Sequence, residues 1–308
     1  MLERALELAE RGRQTAHPNP VVGAVVVRDG EVVGEGWHER KGGPHAEVVA
    51  LDAAGDAARG ATIFVTLEPC DHYGSQPPCV DAILRAGIAK VVVGAKDPTR
   101  DGIARLREAG LEVDLLDLWE ARQQIEAWLT WARLNRPFVT YKAAVTLDGR
   151  MKLPGERWIS GEESRLLVHE LRAASDAVGV GMGTVRADDP RLDARGVDAE
   201  RQPRRLAFGQ GPLPADSELE LLSGALEDEL SRLAAENVQS LLLEGGPTLG
   251  GAFFGAGLVD KVLLFVAPKL GGEGPGLVAA LPEQVTLKRL SARPVGQDVL
   301  LAAYAHEP

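Results

Sequence analysis

The sequence predicts an α/β protein of two domains, and three observations carry that prediction. Apolar residues alternate between strand and helix periods, so that a β-hairpin is followed by repeated βα units. The alternation is interrupted by a tryptophan-rich stretch at residues 118–136 and then starts afresh. At 308 residues the chain is long enough for two packed cores.

The elements follow in order. Leu2, Ala5, Leu6 and Ala9 share one face of a charged helix over residues 2–13. Val21–Val27 and Glu31–Gly36 read as strands around Asp29-Gly30, a hairpin turn signal. Residues 45–58 are helical and Gly60 stops them; Ala61–Leu67 is a strand. Pro77-Pro78 leads a helix through Ala86, stopped by Gly87. Lys90–Gly94 is a strand, 101–109 a helix and Leu111–Leu115 a short strand. The stretch DLWEARQQIEAWLTWARLNRP holds three of the five tryptophans, and Ile125, Trp128, Leu129 and Ala132 keep helical spacing until Pro137. It is expected to be a linker helix, 118–136, between domains 1–117 and 137–308.

In the second half, strands are expected at Pro137–Val145, Ala177–Gly181, Arg205–Phe208, Ser240–Glu244 and Lys261–Ala267, with two more near 285–290 and 298–304. Helices are expected at Ser164–Ala174, Ala225–Glu236 and Thr248–Gly255. Arg186–Arg204, charged and punctuated by proline, reads as a surface loop.

Charge narrows the partners. A formal net charge of −11, with no cluster of Lys and Arg, disfavours nucleic acid and anionic membranes. No run approaches the roughly 20 apolar residues of a membrane span, and the N-terminus lacks a signal peptide's apolar core. The expectation is a cytoplasmic protein with a small-molecule partner, its oligomeric state left open, a homo-oligomer included. Any phosphate on that partner must be held by individual Arg and Lys side chains.

Both cysteines of the chain lie in TLEPCDHYGSQPPCV, each directly after a proline. In a reducing compartment such a pair favours metal or redox chemistry over a structural disulfide, and the spacing is not the Cys-x-x-Cys of a redox dithiol. A catalytic zinc keeps three protein ligands and one open position. Cys70 and Cys79 therefore need one partner, and GGPHAEVVAL supplies His45 where a turn becomes a helix. Unpaired N–H groups at helix starts favour the thiolate that binds metal. Glu47, two residues on, gives the site direction: His-x-Glu followed by Pro-Cys and a second Cys is the signature of zinc deaminases of amino-substituted bases. The metal lowers the pKa of its water to about 7. The carboxylate, itself no ligand, moves the proton. A closed structural zinc site would need a fourth ligand, for which His72 is the nearest imidazole, and would have no use for Glu47. The usual spacing between the cysteines is two residues; here DHYGSQPP intervenes and should form a loop beside the metal.

HPNPVVGAVVV, GGPHAEVVAL, TLEPC and PPC together resemble the deaminase domain of the bifunctional riboflavin-biosynthesis deaminase–reductases. The likeness spans roughly residues 1–115. It implies a cytidine-deaminase-like three-layer α/β/α domain in which His45, Cys70 and Cys79 bind Zn2+, Glu47 is the proton donor and Asn19 contacts substrate. Family loops read close to Ser-His-His-Gly-Arg/Lys-Thr before Pro-Pro-Cys; Asp71, His72, Tyr73, Gly74, Ser75 and Gln76 stand here, without the basic residue that could meet a substrate phosphate.

Three later stretches are YKAAVTLDGRM, VGVGMGTVRADDPRL and LLLEGGPTLGGAFFGAGLVD. The last is a strand, a glycine turn and Pro247 opening a helix, an arrangement that can cradle phosphate but also occurs where glycine merely packs. In this order they resemble the reductase half of the same family, similar in fold to dihydrofolate reductase and dependent on NADPH, over residues 137–305. That resemblance implies cofactor contacts from Ala144, Trp158, Thr184, Asp188 and the turn Gly246, Pro247, Thr248, Leu249, Gly250, Gly251 and Ala252. It implies substrate contacts from Arg172, Leu192, Arg195 and Glu244. Arg172 and Arg195 can grip a phosphate bidentately, and Trp158 can pack on a flat ring.

The function implied is hydrolytic deamination of 2,5-diamino-6-(5-phosphoribosylamino)pyrimidin-4(3H)-one, followed by NADPH-dependent reduction of its ribosyl group to ribityl. The alternatives are a zinc nucleoside or tRNA deaminase with a non-catalytic C-terminal binding domain, and a zinc-stabilised scaffold.

Overall fold

A computed structural model describes residues 1–74, 76–199 and 201–308. Met1–Leu134 forms one compact unit and Asn135–Glu307 a second.

The first unit runs α1 (Leu2–Glu10), β1 (Gly23–Arg28), β2 (Glu31–Trp37), α2 (Ala46–Ala54), β3 (Thr62–Leu67), α3 (Cys79–Ala86), β4 (Lys90–Ala95), α4 (Gly102–Glu108), β5 (Glu112–Leu115), α5 (Trp119–Gln124) and α6 (Glu126–Leu134). Asp29 and Gly30 make the hairpin turn with φ of 52° and 85°, the left-handed pair such two-residue turns require. The sheet order is β2-β1-β3-β4-β5. The β1 pairings are antiparallel, and β3–β4 and β4–β5 are parallel.

Strand alternation makes this sheet two-faced. Ala24 and Val26 pack with Ala50 of α2, Ile83 of α3 and Leu106 of α4, whereas Val25 packs with Leu2, Ala5 and Leu8 of α1. Helices therefore cover both faces, the three-layer arrangement expected. A Cβ at Gly34 would lie 2.2 Å from the Ala50 carbonyl oxygen, and one at Gly36 2.5 Å from that of Ala46. Only bare backbone lets α2 lie this close to β2, which fixes the helix that carries His45 and Glu47 at its start.

The tryptophan-rich segment differs from the single linker helix expected. It breaks at Ile125 into α5 and α6. Ala121, Ile125 and Leu129 pack with Ala9, Val21, Leu67 and Ala95 of the first unit. Gln124 Nε2 donates to the Leu6 carbonyl at 2.8 Å. Its apolar stripe belongs to that unit's own core.

The second unit runs β6 (Phe138–Thr146), α7 (Glu162–Ala173), β7 (Ala177–Gly181), α8 (Met182–Asp188), β8 (Arg204–Phe208), β9 (Glu220–Leu222), α9 (Leu226–Ala235), β10 (Ser240–Leu243), α10 (Pro247–Gly255), β11 (Lys261–Ala267), β12 (Lys288–Val295) and β13 (Asp298–Tyr304). Its sheet order is β12-β13-β11-β6-β10-β7-β8-β9. The strands from β11 to β9 pair in parallel, and β13 runs antiparallel to both neighbours. Val139, Tyr141, Leu241 and Leu243 pack with Leu230 and Leu233 of α9 and Phe253 of α10. On the other face Val178, Val180 and Leu242 pack with Val185 of α8, and Leu263 and Phe265 with Val168 of α7.

Two expectations change here. The start of the supposed loop at Arg186–Arg204 is the last turn of α8, whose side chains Met182 and Val185 are buried. The strand expected near 285–290 lies at Lys288–Val295 instead, and seven of its eight residues are exposed. Among the described residues no helix is long and apolar enough to cross a membrane.

Candidate active sites

In the first unit three segments converge. His45 is the N-cap of α2, in extended conformation. Pro78 is the N-cap of α3, so Cys79 is its first helical residue. Cys70 follows β3 through Glu68 and Pro69. Glu68 is buried and accepts the backbone N–H of Asp97 at 3.2 Å and of Ile103 at 2.8 Å, tying the turn to the start of α4. A Cβ on Gly102 would fall 1.8 Å from the Pro69 carbonyl oxygen, so α4 closes on that turn through a bare backbone. These restraints set the Cys70 sulfur.

The ligand atoms of His45, Cys70 and Cys79 lie within 4.8 Å of one another. His45 Nδ1 is 3.2 Å from Cys79 Sγ and 3.5 Å from Cys70 Sγ. The Cys79 backbone N–H donates to Cys70 Sγ at 3.3 Å. The Cys79 thiol, burial notwithstanding, and then His45 and this N–H favour the Cys70 thiolate, pulling its pKa down to about 4; the Cys79 thiol is pushed up in return. A bound dication would supply the charge that favours both thiolates. One imidazole and two sulfurs, His45 and Cys79 at helix starts and Cys70 in the turn after β3, are the soft donor set that suits zinc. Among the described residues no fourth side chain joins the set. His72 is exposed, with Nδ1 3.9 Å from Asp71.

Glu47 sits in the first turn of α2 and is 3% exposed. Burial pushes its carboxyl up to about 6, against the pull of His45. It lies outside the ligand set, as a proton carrier must. The inserted loop closes on the 40–44 turn, Gln76 Nε2 donating to the Gly42 carbonyl at 3.0 Å. Ser75 lies outside the described residues.

Sequence reasoning missed His38. It is buried at the end of the β2 hairpin, edge-on to His45 with ring centroids 5.4 Å apart. Its Nδ1 is 3.0 Å from the Pro44 carbonyl, which can only accept, so Nδ1 carries the proton and Nε2 accepts. Asn19 Nδ2 lies 3.0 Å from that Nε2 and donates to it, which turns the Asn19 amide oxygen away from His38. The histidine seven residues before His45 was the available signal.

The second unit places the other expected residues in three groups. Glu244 N donates to the Gly179 carbonyl at 2.8 Å, so the turns after β10 and β7 lie side by side at the C-terminal ends of parallel strands. Such ends are where open α/β sheets bind ligands. A Cβ on Gly246 would meet only Thr184 Oγ1, at 4.0 Å, so Gly246, Pro247 and Thr184 line one open turn at the start of α10. Thr248 and Ala252 are exposed on that helix, and Leu249 packs in the core cluster. Gly250 and Gly251 have a packing role. Side chains there would strike the Tyr141 ring at 2.8 Å and the Ala280 carbonyl at 2.9 Å, so these glycines pack the helix.

The second group is ionic. Arg172 donates to Glu244 through Nε at 2.6 Å and Nη2 at 3.1 Å, and through Nη1 to the Asp193 carbonyl at 3.1 Å. Lys142 Nζ is 3.4 Å from Glu244. Glu244 thus spans one edge, Nε and Nη2, of the fork expected to grip phosphate. Arg195 is exposed and paired with Asp193. Leu192 is buried among Val180, Val185 and Leu219 with φ of 54°, so its side chain is core.

The third group centres on Trp158. Its ring is 51% exposed, with Arg157 and Arg165 against it at 5.1 and 5.5 Å, and Lys269 reaches its carbonyl at 3.4 Å. Ala144 lies mid-strand on β6 opposite Phe265, and Asp188 is exposed at the end of α8.

Residues 1–95 match the family described as cytidine and deoxycytidylate deaminase zinc-binding region, and residues 137–301 match the RibD C-terminal domain. The riboflavin biosynthesis protein RibD of Mycobacterium tuberculosis is 40% identical, the match covering 98% of this chain and 95% of that protein. The chain belongs to the RibD family. RibD of Aquifex aeolicus is 38% identical over 97% of this chain and 96% of its own length. Among solved structures, Acinetobacter baumannii RibD, form 1, superposes with a TM-score of 0.87 at 35% identity, covering 98% of this chain and 97% of that one. The diaminohydroxyphosphoribosylaminopyrimidine deaminase/5-amino-6-(5-phosphoribosylamino)uracil reductase of Thermotoga maritima superposes with a TM-score of 0.84 at 33% identity, over the same shares. This RibD-family chain accordingly carries a zinc-binding deaminase domain and a reductase domain of riboflavin biosynthesis.

Proposed function

We propose that the first unit deaminates 2,5-diamino-6-(5-phosphoribosylamino)pyrimidin-4(3H)-one and that the second reduces the ribosyl group of the product to ribityl with NADPH. The observation that carries the first half is a three-ligand His/Cys/Cys set with a buried carboxylate beside it that is not a ligand. Zinc held by His45, Cys70 and Cys79 makes water acidic enough to react near neutral pH. Glu47 takes a proton from the attacking water and passes it to the ring nitrogen, and it carries a second proton to the departing amine. The proton of the resulting hydroxyl then reaches the amino nitrogen, the bond between the ring carbon and that exocyclic nitrogen breaks, a C=O forms and ammonia leaves. Asn19, held by His38, orients the base.

In the second unit the start of α10, with Thr184, holds cofactor phosphate on the backbone N–H groups of Gly246, Thr248 and Leu249. Trp158 offers a flat ring. Bound NADPH supplies the hydride, and the chain's part is alignment and exclusion of water. The partner on this reading is a phosphorylated pyrimidine, in keeping with the net charge of −11 that disfavours nucleic acid.

One assay tests both halves. The diaminopyrimidine phosphate is supplied with and without NADPH, and ammonia and NADPH absorbance are followed separately. Ammonia is expected in both cases, and NADPH oxidation only once deaminated product is present. NADPH consumption without ammonia would contradict the order, and ammonia from cytidine or adenosine instead would favour a nucleoside deaminase.

A further inference from the structure

We propose that His169 completes the phosphate subsite of the reductase, adding an imidazolium to Arg172 and Arg195. The inference rests on the reading that the second unit takes a phosphorylated substrate at these arginines.

His169 lies on α7, one turn before Arg172. Its Nδ1 is 3.1 Å from the Asp193 carbonyl, the same oxygen that takes Arg172 Nη1 at 3.1 Å. The Arg195 backbone N–H reaches the same ring nitrogen at 3.4 Å. One carbonyl and one peptide thus gather the imidazole and both guanidinium-bearing residues around a single point. The carbonyl only accepts, so the closer contact puts the proton on Nδ1 and leaves Nε2 as the bare nitrogen of the neutral ring. Among the described residues no hydrogen bond engages Nε2. The residue is only partly buried.

Charge explains what an imidazole adds. Arg172 faces His169 from its own helix, and Asp193 and Arg195 face it from the segment after α8. Arg165, one turn earlier on α7, is turned to the Ser160 carbonyl and the Trp158 ring. Behind Arg172 stand Glu244 after β10 and Lys142 on β6. Lys142, Arg172 and Arg195 are three cations against the two carboxylates of Glu244 and Asp193. One net positive charge meets a phosphate monoester that carries about two negative charges near neutral pH. Protonating His169 supplies the second. Burial, then Arg172, and more weakly Arg195, hold the free ring's pKa below its ordinary value, so without ligand it is neutral near pH 7. A bound dianion reverses the field, and phosphate binding takes up a proton.

Affinity for phosphate is therefore expected to fall as pH rises through the bound-state pKa of the ring. The probe is inorganic phosphate as a competitive inhibitor of NADPH-dependent reduction, with wild type and His169→Gln compared at each pH so that titration of phosphate itself cancels. At about pH 6 the variant should bind phosphate roughly tenfold more weakly, the worth of one charge-assisted hydrogen bond, and the gap should close by about pH 8. KM for the phosphorylated substrate should rise by more than kcat falls. Equal phosphate affinity of the two proteins at every pH would overturn the proposal. Titration of the His169 ring resonance by NMR needs no turnover. A pKa that rises when inorganic phosphate is added supports the site whatever the second unit reduces, and an unmoved pKa overturns it. Failure of the wild type to oxidise NADPH would overturn the reductase reading instead.

Discussion

Glu47→Gln is expected to lower ammonia release by about 10²–10⁴-fold while zinc content and NADPH-dependent reduction of the deaminated substrate hold. The substitution keeps the shape of a side chain that is 3% exposed and removes only its capacity to take a proton. The ligands are untouched, because Glu47 is outside the His45, Cys70 and Cys79 set. The reductase residues lie in the other compact unit. Ammonia and NADPH are read from the same preparation, so a misfolded variant would show itself by losing zinc or both activities. Deamination at the wild-type rate with zinc bound would remove Glu47 from the chemistry.

Glu244→Gln is expected to destabilise the second unit by about 3–5 kcal/mol and to abolish reduction. The Glu244 side chain is 10% exposed, and the Arg172 and Lys142 side chains it holds are 13% and 14% exposed. Removing the one carboxylate leaves two nearly buried cations facing each other. Burial raises the Glu244 carboxyl, but Lys142 and Arg172 outweigh it and the pKa falls below its ordinary value. The stabilisation is accordingly complete above the unfolded carboxylate pKa of about 4.3 and is lost as pH drops through the lower folded value. Urea midpoints of the intact chains should differ widely at neutral pH and converge on strong acidification. A gap that stays constant with pH would mean the ion cluster is not its source.

The parts of the site that could be read from sequence are those whose chemistry admits few residue types. His45, Cys70, Cys79 and Glu47 stood out because zinc and proton transfer demand them. The Asp29-Gly30 turn stood out because positive φ at two successive positions restricts the sequence. Strands with a buried face were also legible: the expected Ala177–Gly181 and Lys261–Ala267 coincide with β7 and β11. Where burial is not periodic, pattern fails. β12 is exposed on both faces, so its boundaries left no trace. β9 has only three residues, and α8 has seven between Gly181 and a left-handed Asp189, too short for a helical period to show. His38 escaped because its role depends on Pro44 and Asn19, contacts made by folding. The same holds for Arg172, whose free fork was an inference from residue type and whose partner Glu244 is 72 positions away. Gly250 and Gly251 looked like phosphate-turn glycines, yet the atoms they make room for belong to Tyr141 and Ala280.

X-ray absorption at the zinc edge of the zinc-loaded chain addresses the metal centre directly. The geometry requires two sulfurs at about 2.3 Å, one imidazole nitrogen at about 2.0–2.1 Å and a light oxygen scatterer filling the remaining position. A second imidazole or a side-chain carboxylate in place of that oxygen, or a chain that takes up no zinc, would contradict it.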